Sequence, residues 1–206
     1  MNKTNPTIRA VFFDLGQVLL DFDSVTVATK MAAMTGKSPL EIGQLVRDVV
    51  AESGYELGGI SSEEFVRLVS ERCGVALDFA AFADAWCDIF SENAPMVSLA
   101  RTLRGTVPRF ILSNTNDLHI DFVRRKFPFF GEFDGYVLSY RDRVAKPDAA
   151  IYRLALERAG VEAGESLFID DREENVLGAG AVGMNFVHYA DRTQAMKEIQ
   201  SWLQIA

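Results

Sequence analysis

Carboxylates, a hydroxyl, an amide and a lysine follow short apolar runs at separate places in this chain of 206 residues. Val11-Phe12-Phe13 ends in Asp14, then Leu15 and Gly16. Phe110-Ile111-Leu112 runs into Ser113-Asn114-Thr115-Asn116-Asp117, and Leu167-Phe168-Ile169 runs into Asp170-Asp171. Between them, Ala145-Lys146-Pro147-Asp148 opens a helical pattern. A buried carboxylate has to be paired, hydrogen-bonded or metal-bound. An Asp closing an apolar strand is therefore a candidate nucleophile or metal ligand. Each piece also has a plain reading. Asp14 can simply turn the strand end, Ser113–Asp117 can be a turn and an N-cap, and Asp171 can cap the next helix with Asn175 holding it. Lys146 can be a solvated lysine before a proline. The combination favours chemistry. If the strands are parallel, Asp14, Ser113 and Asp170-Asp171 emerge on one edge of the sheet, where open α/β folds bind ligands. Crowded carboxylates repel unless a cation lies between them, and oxygen ligands without histidine suit Mg²⁺. Lys146, Ser113 and nearby backbone N–H groups complement a phosphate.

The elements that must position these residues follow from the pattern. Ile8 to Asp14 reads as a strand buried on both faces, behind a polar tail over Met1 to Thr7. From about Asp21 to Phe90 the chain reads as consecutive helices. Ser38-Pro39-Leu40-Glu41 has capping-box spacing with Pro at the first helical position, ahead of Ile42, Leu45, Val46, Val49 and Val50. Ser61-Ser62-Glu63-Glu64 predicts a second box, ahead of Phe65, Leu68 and Val69. Phe79, Phe82, Ala83, Trp86, Cys87 and Phe90 form a third apolar stripe. A Gly-rich loop, Ser53 to Ile60, joins two of these helices and carries Tyr55 and Glu56. Beyond Glu92, strands alternate with helices. Strands are expected at Val107–Leu112, Tyr136–Leu138, Ser166–Ile169 and Asn185–His188. Helices are expected at Pro95–Arg104, Asp117–Phe127, Asp148–Ala159, Glu173–Val182 and Thr193–Leu203. The expected fold is α/β, a doubly wound, Rossmann-like parallel sheet of about five strands. Residues 1–20 and 92–206 would form this core, and 21–91 a small helical bundle inserted after the first strand.

Composition narrows the class. Apolar residues make up 49 %, enough for a core, and the net charge of −8 argues against a general nucleic-acid or anionic-membrane binder. Cys73 and Cys87 form no CxxC pattern, so neither zinc nor a disulfide framework is expected. No stretch suits a bilayer span or a signal peptide, which makes a cytoplasmic protein the default expectation. Gly178 to Gly183 matches GxGxxG but ends a helix and precedes a strand, the reverse of a dinucleotide site. Small residues bringing that helix close to the sheet account for it better. Phe127, Phe129, Phe130 and Phe133 are expected in the core.

The motifs together resemble the haloacid-dehalogenase-like hydrolase superfamily. Its nucleophile strand is matched by Phe13-Asp14-Leu15-Gly16, its Ser/Thr strand end by Leu112-Ser113-Asn114, its lysine by Lys146-Pro147, and its acidic pair by Asp170-Asp171 with Asn175 following. These occur in order over nearly the whole chain, and the helical insert falls where one large subgroup carries its cap. Leu112 to Asn116 and Lys146 through Tyr152 resemble the sugar-phosphate phosphatases that include α-glucose-1-phosphatase. The resemblance implies a Mg²⁺-dependent phosphatase of a small phosphorylated metabolite. Asp14 would form an aspartyl-phosphate. Ser113, Asn114 and Lys146 would hold phosphoryl oxygens. Asp14, the Gly16 carbonyl and the pair Asp170-Asp171 would hold the metal, with Asp171 a direct ligand and Asp170 direct or through water. The Tyr55-Glu56 loop would read the leaving group. One position departs from the pattern. Many phosphatases of this family carry a second Asp two residues after the nucleophile, as general acid and base, and here it is Gly16. Losing such a group costs ~10²–10⁴-fold, least for a leaving group that needs little protonation, such as an anomeric oxygen. Asp21 or Asp23 is the candidate to replace it through water. Two other readings stand beside the phosphatase. One is a 2-haloacid dehalogenase, which needs no acidic pair. The other is a catalytically silent phosphate-ester-binding module, which Gly16 would suit.

Overall fold

The computed structural model describes residues 7–205. The polar tail expected over Met1 to Thr7 lies, except for its last residue, outside the described residues. The first strand, β1 (Ala10–Phe13), alternates sides strictly. Val11 and Phe13 enter one apolar cluster, and Ala10 and Phe12 enter another on the opposite face. Asp14 stands just past the strand end. A short ribbon of β2 (Leu20–Phe22) and β3 (Phe90–Glu92) then pairs antiparallel, Asp21 opposite Ser91. Between its arms lie α1 (Ser24–Thr35), α2 (Pro39–Ser53), α3 (Ser62–Cys73) and α4 (Phe79–Cys87). The remainder alternates: α5 (Ala94–Thr102), β4 (Arg109–Ser113), α6 (Asp117–Lys126), β5 (Gly135–Leu138), α7 (Ser139–Asp142), α8 (Ala149–Ala159), β6 (Ser166–Asp170), α9 (Glu173–Ala181), β7 (Asn185–His188) and α10 (Arg192–Leu203).

The main sheet has the order β5-β4-β1-β6-β7, and every pairing in it is parallel. Apolar residues of α5, α6 and α10 cover one face, and those of α8 and α9 cover the other. The two-faced burial explains why the strands read as continuous apolar runs. The four phenylalanines from Phe127 to Phe133 are buried in the first of these clusters. Helices α1 to α4 enclose a third cluster of their own, around Met31, Ile42, Val49, Phe65 and Phe82.

The caps are mostly those expected. Ser38 and Glu41 form the reciprocal box, and Pro39 opens α2. At α3 only half of the second box forms. Ser61 accepts from the Glu64 N–H, while the Glu64 carboxylate turns outward to Arg67. Phe90 is not on the third helical stripe: α4 ends at Cys87, and Phe90 pairs with Phe22 in the ribbon, their rings edge to face. Gly178 and Gly180 do bring α9 close to its neighbours. A Cβ at Gly178 would stand 2.9 Å from the Pro147 carbonyl oxygen, and one at Gly180 2.7 Å from the Phe186 ring.

Candidate active site

Because β1, β4 and β6 are adjacent and parallel, Asp14, Ser113 and Asp170 emerge together at one edge. Lys146, on the loop between α7 and α8, reaches into that edge and is 4 % exposed. Its Nζ lies 2.9 Å from Asp14 Oδ1 and 2.6 Å from Asp170 Oδ2, and the Phe168 ring sits 5.4 Å from it. The loop is pinned by Asn114, whose Oδ1 accepts from the Lys146 N–H and whose Nδ2 donates to the Lys146 carbonyl, both at 2.9 Å. The Asn114 side chain is therefore committed to positioning Lys146.

Asp170 is fully buried, and its two oxygens are saturated. Oδ1 accepts from the Arg172 N–H at 2.8 Å, Oδ2 from Lys146, and Asn175 Nδ2 lies 3.0 Å from each. Asn175 thus holds Asp170, not Asp171, and its own carbonyl accepts from the Tyr152 hydroxyl. The Asp171 carboxylate is half-buried and has no such set of donors, while its backbone carbonyl lies 2.9 Å from His188 Nε2. Asp14, Asp170 and Asp171 can each aim one carboxylate oxygen so that all lie within 4.8 Å of one another. Hard oxygens at that spacing fit a small divalent cation.

The electrostatics follow from this crowding. Burial, helped by the negative charge of Asp170, pushes the Asp14 carboxyl up to about 7 against the pull of Lys146. Burial alone would lower Lys146, but the carboxylates of Asp14 and Asp170 more than offset it and raise it above the ordinary ammonium range. Burial, then Asp170, also raises Asp171. Asp14 Oδ1 additionally accepts from the Leu15 N–H at 2.7 Å. The carboxylate is thus oriented by one oxygen, and among the described residues the other has no donor.

The structure brings the motif residues Asp14, Ser113, Lys146, Asp170 and Asp171 together and leaves other candidates outside. Asp21 pairs with Arg192, and Asp23 caps α1 by accepting from Val25 and Thr26. Both side chains are thus engaged at the surface in this structure. Over Gly16, a Cβ would lie 3.0 Å from the edge of the Phe22 ring. Tyr55 is not at the mouth: it is 1 % exposed, and its hydroxyl bonds to Ser62 at 2.7 Å and Asp117 at 2.9 Å. Pattern reading of the sequence missed this junction. Ser62 and Asp117 looked like ordinary helix-start residues, and nothing local marks them as partners.

The chain belongs to the haloacid dehalogenase-like hydrolases, whose family model matches residues 8–183. It is 26 % identical over 196 residues to a sesquiterpene phosphatase, astK, of Aspergillus oryzae, covering 94 % of this chain and 96 % of that one. It is 26 % identical over 183 residues to a D-ribitol-5-phosphate phosphatase of Bacteroides thetaiotaomicron, covering 82 % and 85 %. Among solved structures, the HAD family enzyme BT-2542 of Bacteroides thetaiotaomicron, in complex with magnesium and inorganic phosphate, superposes with a TM-score of 0.76 at 28 % identity, covering 88 % of this chain and 93 % of that one.

Proposed function

We propose that this protein is a Mg²⁺-dependent phosphatase that hydrolyses a small phosphorylated metabolite of the sugar-phosphate type through a phosphorylated Asp14. The observation that carries the reading is the buried unit of Asp14, Lys146 and Asp170, with Asp171 beside it and the Ser113 hydroxyl at the adjoining strand end. The phosphatase relatives, and the magnesium and phosphate bound to a related fold, support it. An ammonium between two carboxylates opposes the rise that burial imposes on the Asp14 carboxyl and so favours its ionised, nucleophilic form. The free Asp14 oxygen attacks phosphorus as the P–O bond to the leaving group breaks, and the departing alkoxide takes its proton from solvent water. Water then cleaves the aspartyl-phosphate and regenerates the carboxylate. Ser113, the Asn114 N–H and Lys146 hold the phosphoryl oxygens. Asp14, the Gly16 carbonyl and Asp171 would hold Mg²⁺, which when bound supplies positive charge opposite the developing negative charge. Saturation of Asp170 by protein donors favours Asp171 as the direct ligand, with Asp170 acting through water. Helices α1 to α4 serve as the cap over this edge.

The test is phosphate release from an aryl phosphate and a panel of sugar and polyol phosphates, with Mg²⁺, with EDTA and with Asp14→Asn. Turnover should need the metal and fall by about 10³-fold or more in the variant. Undiminished turnover in EDTA or in Asp14→Asn would overturn the reading. Gly16 favours one alternative, displacement of halide from a 2-haloacid, because a halide leaves without a proton. The acidic pair stands against it, since displacement on carbon needs no metal and Asp171 would then add negative charge that no bound ion offsets. Halide release in the presence of chelator would decide for it.

A further inference from the structure

Helix α6 follows β4 and belongs to the core, where Ile120 and Val123 are wholly buried in the apolar cluster on one face of the sheet. Its other side grips the helical insert along its whole length, about 15 Å for 10 residues. At its first residue, Asp117 Oδ1 accepts from the Tyr55 hydroxyl at 2.9 Å and from the Ser62 hydroxyl, and those two hydroxyls stand 2.7 Å apart. Within the first turn, the His119 ring stacks on Trp86 of α4 and meets Phe90 edge to face, each at 5.0 Å between centroids. Further along, Phe122 lies 6.4 Å from Phe90. At its last residue, Lys126 Nζ reaches Asp88 Oδ1 at 2.7 Å, and Lys30 of α1 donates to the Asp88 carbonyl at 2.7 Å. The turn before α3 also packs on α7: a Cβ at Gly58 would stand 2.1 Å from the Tyr140 carbonyl oxygen.

The β6 side of the insert is not gripped in this way. There Arg172 bonds to Glu174, and the Asp171 carbonyl lies against His188. Among the described residues, neither α8 nor α9 shares a hydrogen bond or ion pair with α1 to α4. The two chain crossings run through the ribbon of β2 and β3, which Asp21 ties to Arg192 of α10. A unit joined to its core by two crossings moves relative to it unless their interface is extensive and apolar. The exposed pairs of Asp88 with Lys126 and Lys30 add little. The weight falls on the buried hydroxyls and the rings. Tyr55 is 1 % exposed and Ser62 4 %. Parting them from Asp117 gains only water in exchange, while Trp86, Phe90 and Phe122 would give up their ring contacts. Because α6 is one helix seated in the core, these contacts release together or not at all.

We propose that α6 is a clasp that keeps the insert seated on the core with or without a ligand, so that the site exchanges its ligand past the unclasped β6 side and not by the insert swinging open. Asp117, Tyr55, Ser62, His119 and Trp86 are then positioning residues: they set where the insert sits and touch no reacting atom. The clasp is independent of the phosphatase reading, because it is built from the interface alone.

The test is a spin-label distance measurement across the unclasped side, from Leu40→Cys on α2 to Leu177→Cys on α9. Both positions are exposed, and the unsubstituted chain serves as the labelling blank because Cys73 and Cys87 are buried. The pair should give one narrow distance distribution in buffer, in Mg²⁺, and in Mg²⁺ with orthovanadate as the phosphate analogue, its maximum constant within about 2 Å. Tyr55→Phe combined with Asp117→Ala should widen the distribution or add a second maximum. A second maximum in the unclasped sense already present in wild-type background, holding more than about 10 % of the pairs, overturns the proposal. So does a larger shift on adding orthovanadate, and so does a released variant as narrow as wild type. The measurement in buffer decides whether or not orthovanadate binds. Thermal unfolding confirms that the variants are folded, and Tyr55→Phe alone, which removes one oxygen, carries the comparison if the double variant does not fold.

Discussion

At the scale of single residues, the arrangement turns on Lys146. It is one cation between two buried carboxylates, and neither is inexpensive to leave alone. Removing one member of a buried charge cluster costs about 3–5 kcal/mol, mostly because the partners stay behind unpaired. Lys146→Met is therefore expected to lose stability of that order in urea unfolding without metal, in addition to losing turnover. Asn114→Ala should act at second hand. Lys146 keeps its partners, but its loop loses two hydrogen bonds, so kcat should fall about 10-fold or more with a smaller loss of stability. A kcat equal to wild type would mean that the loop is held by its other contacts. The acidic pair was readable in the sequence because it closes an apolar run, and the lysine because it stands just ahead of a helical pattern, between two such run ends. The role of Asn114 was not. Its partner lies 32 positions away, and only the fold shows that its amide bonds to the Lys146 backbone.

At the scale of elements, the parallel sheet and its covering helices were legible because continuous apolar runs and one-faced helical stripes are each many residues long. The ribbon of β2 and β3 was not, since strands of three residues are too short to show alternation. What fastens the helical insert to the core was equally hidden. His119 of α6 stacks on Trp86 of α4 at 5.0 Å between centroids. Asn116 Oδ1 accepts from the His119 N–H, so its Nδ2 must donate to His119 Nδ1. The ring proton then sits on Nε2 and donates to the Trp86 carbonyl. The neutral ring satisfies both neighbours, and burial holds its pKa down at about 4. The sign follows. Between the ordinary histidine value near 6.5 and about 4, the unfolded chain binds a proton that the folded chain does not. Stability from this group is complete above pH 6.5, declines as pH falls through that window, and levels off below about 4. The loss should be no more than about 3 kcal/mol, and His119→Gln should flatten it in denaturant titrations at pH 7.5 and pH 5. The Gly-rich turn permits a comparison of two glycines. Gly54 and Gly58 share a left-handed backbone, but a Cβ at Gly54 would meet nothing within 4 Å, whereas one at Gly58 collides with Tyr140. Gly54→Ala should cost about 1 kcal/mol, and Gly58→Ala distinctly more, with a rise in KM as the turn lifts from α7. Equal costs would mean that the turn is not seated there.

At the scale of the whole molecule, the same carboxylates that would hold the metal burden the metal-free fold. Asp14, Asp170 and Asp171 crowd together around a single lysine, Lys146. A cation that binds only the native state stabilises it by about 2.7 kcal/mol at a hundred times its Kd. For a chain of this length each kcal/mol moves the melting temperature by roughly 2–4 °C. Saturating Mg²⁺ should therefore raise the midpoint by roughly 5–10 °C. Asp171→Asn separates the two sides of the balance. Without metal, Asp171 has no protein donor set to lose and stands against the charge of Asp170, so the variant should melt at or slightly above wild type. With Mg²⁺ it should fail to follow wild type upward, because the least-committed ligand is gone. Asp170→Asn should behave in the opposite way without metal, losing the Lys146 ion pair within a saturated, fully buried set of bonds. If Asp171→Asn instead lowered the metal-free midpoint as far as Asp170→Asn does, Asp171 would be a structural residue like its neighbour, and the division of the pair into one oxygen donor for the metal and one for the fold would be wrong.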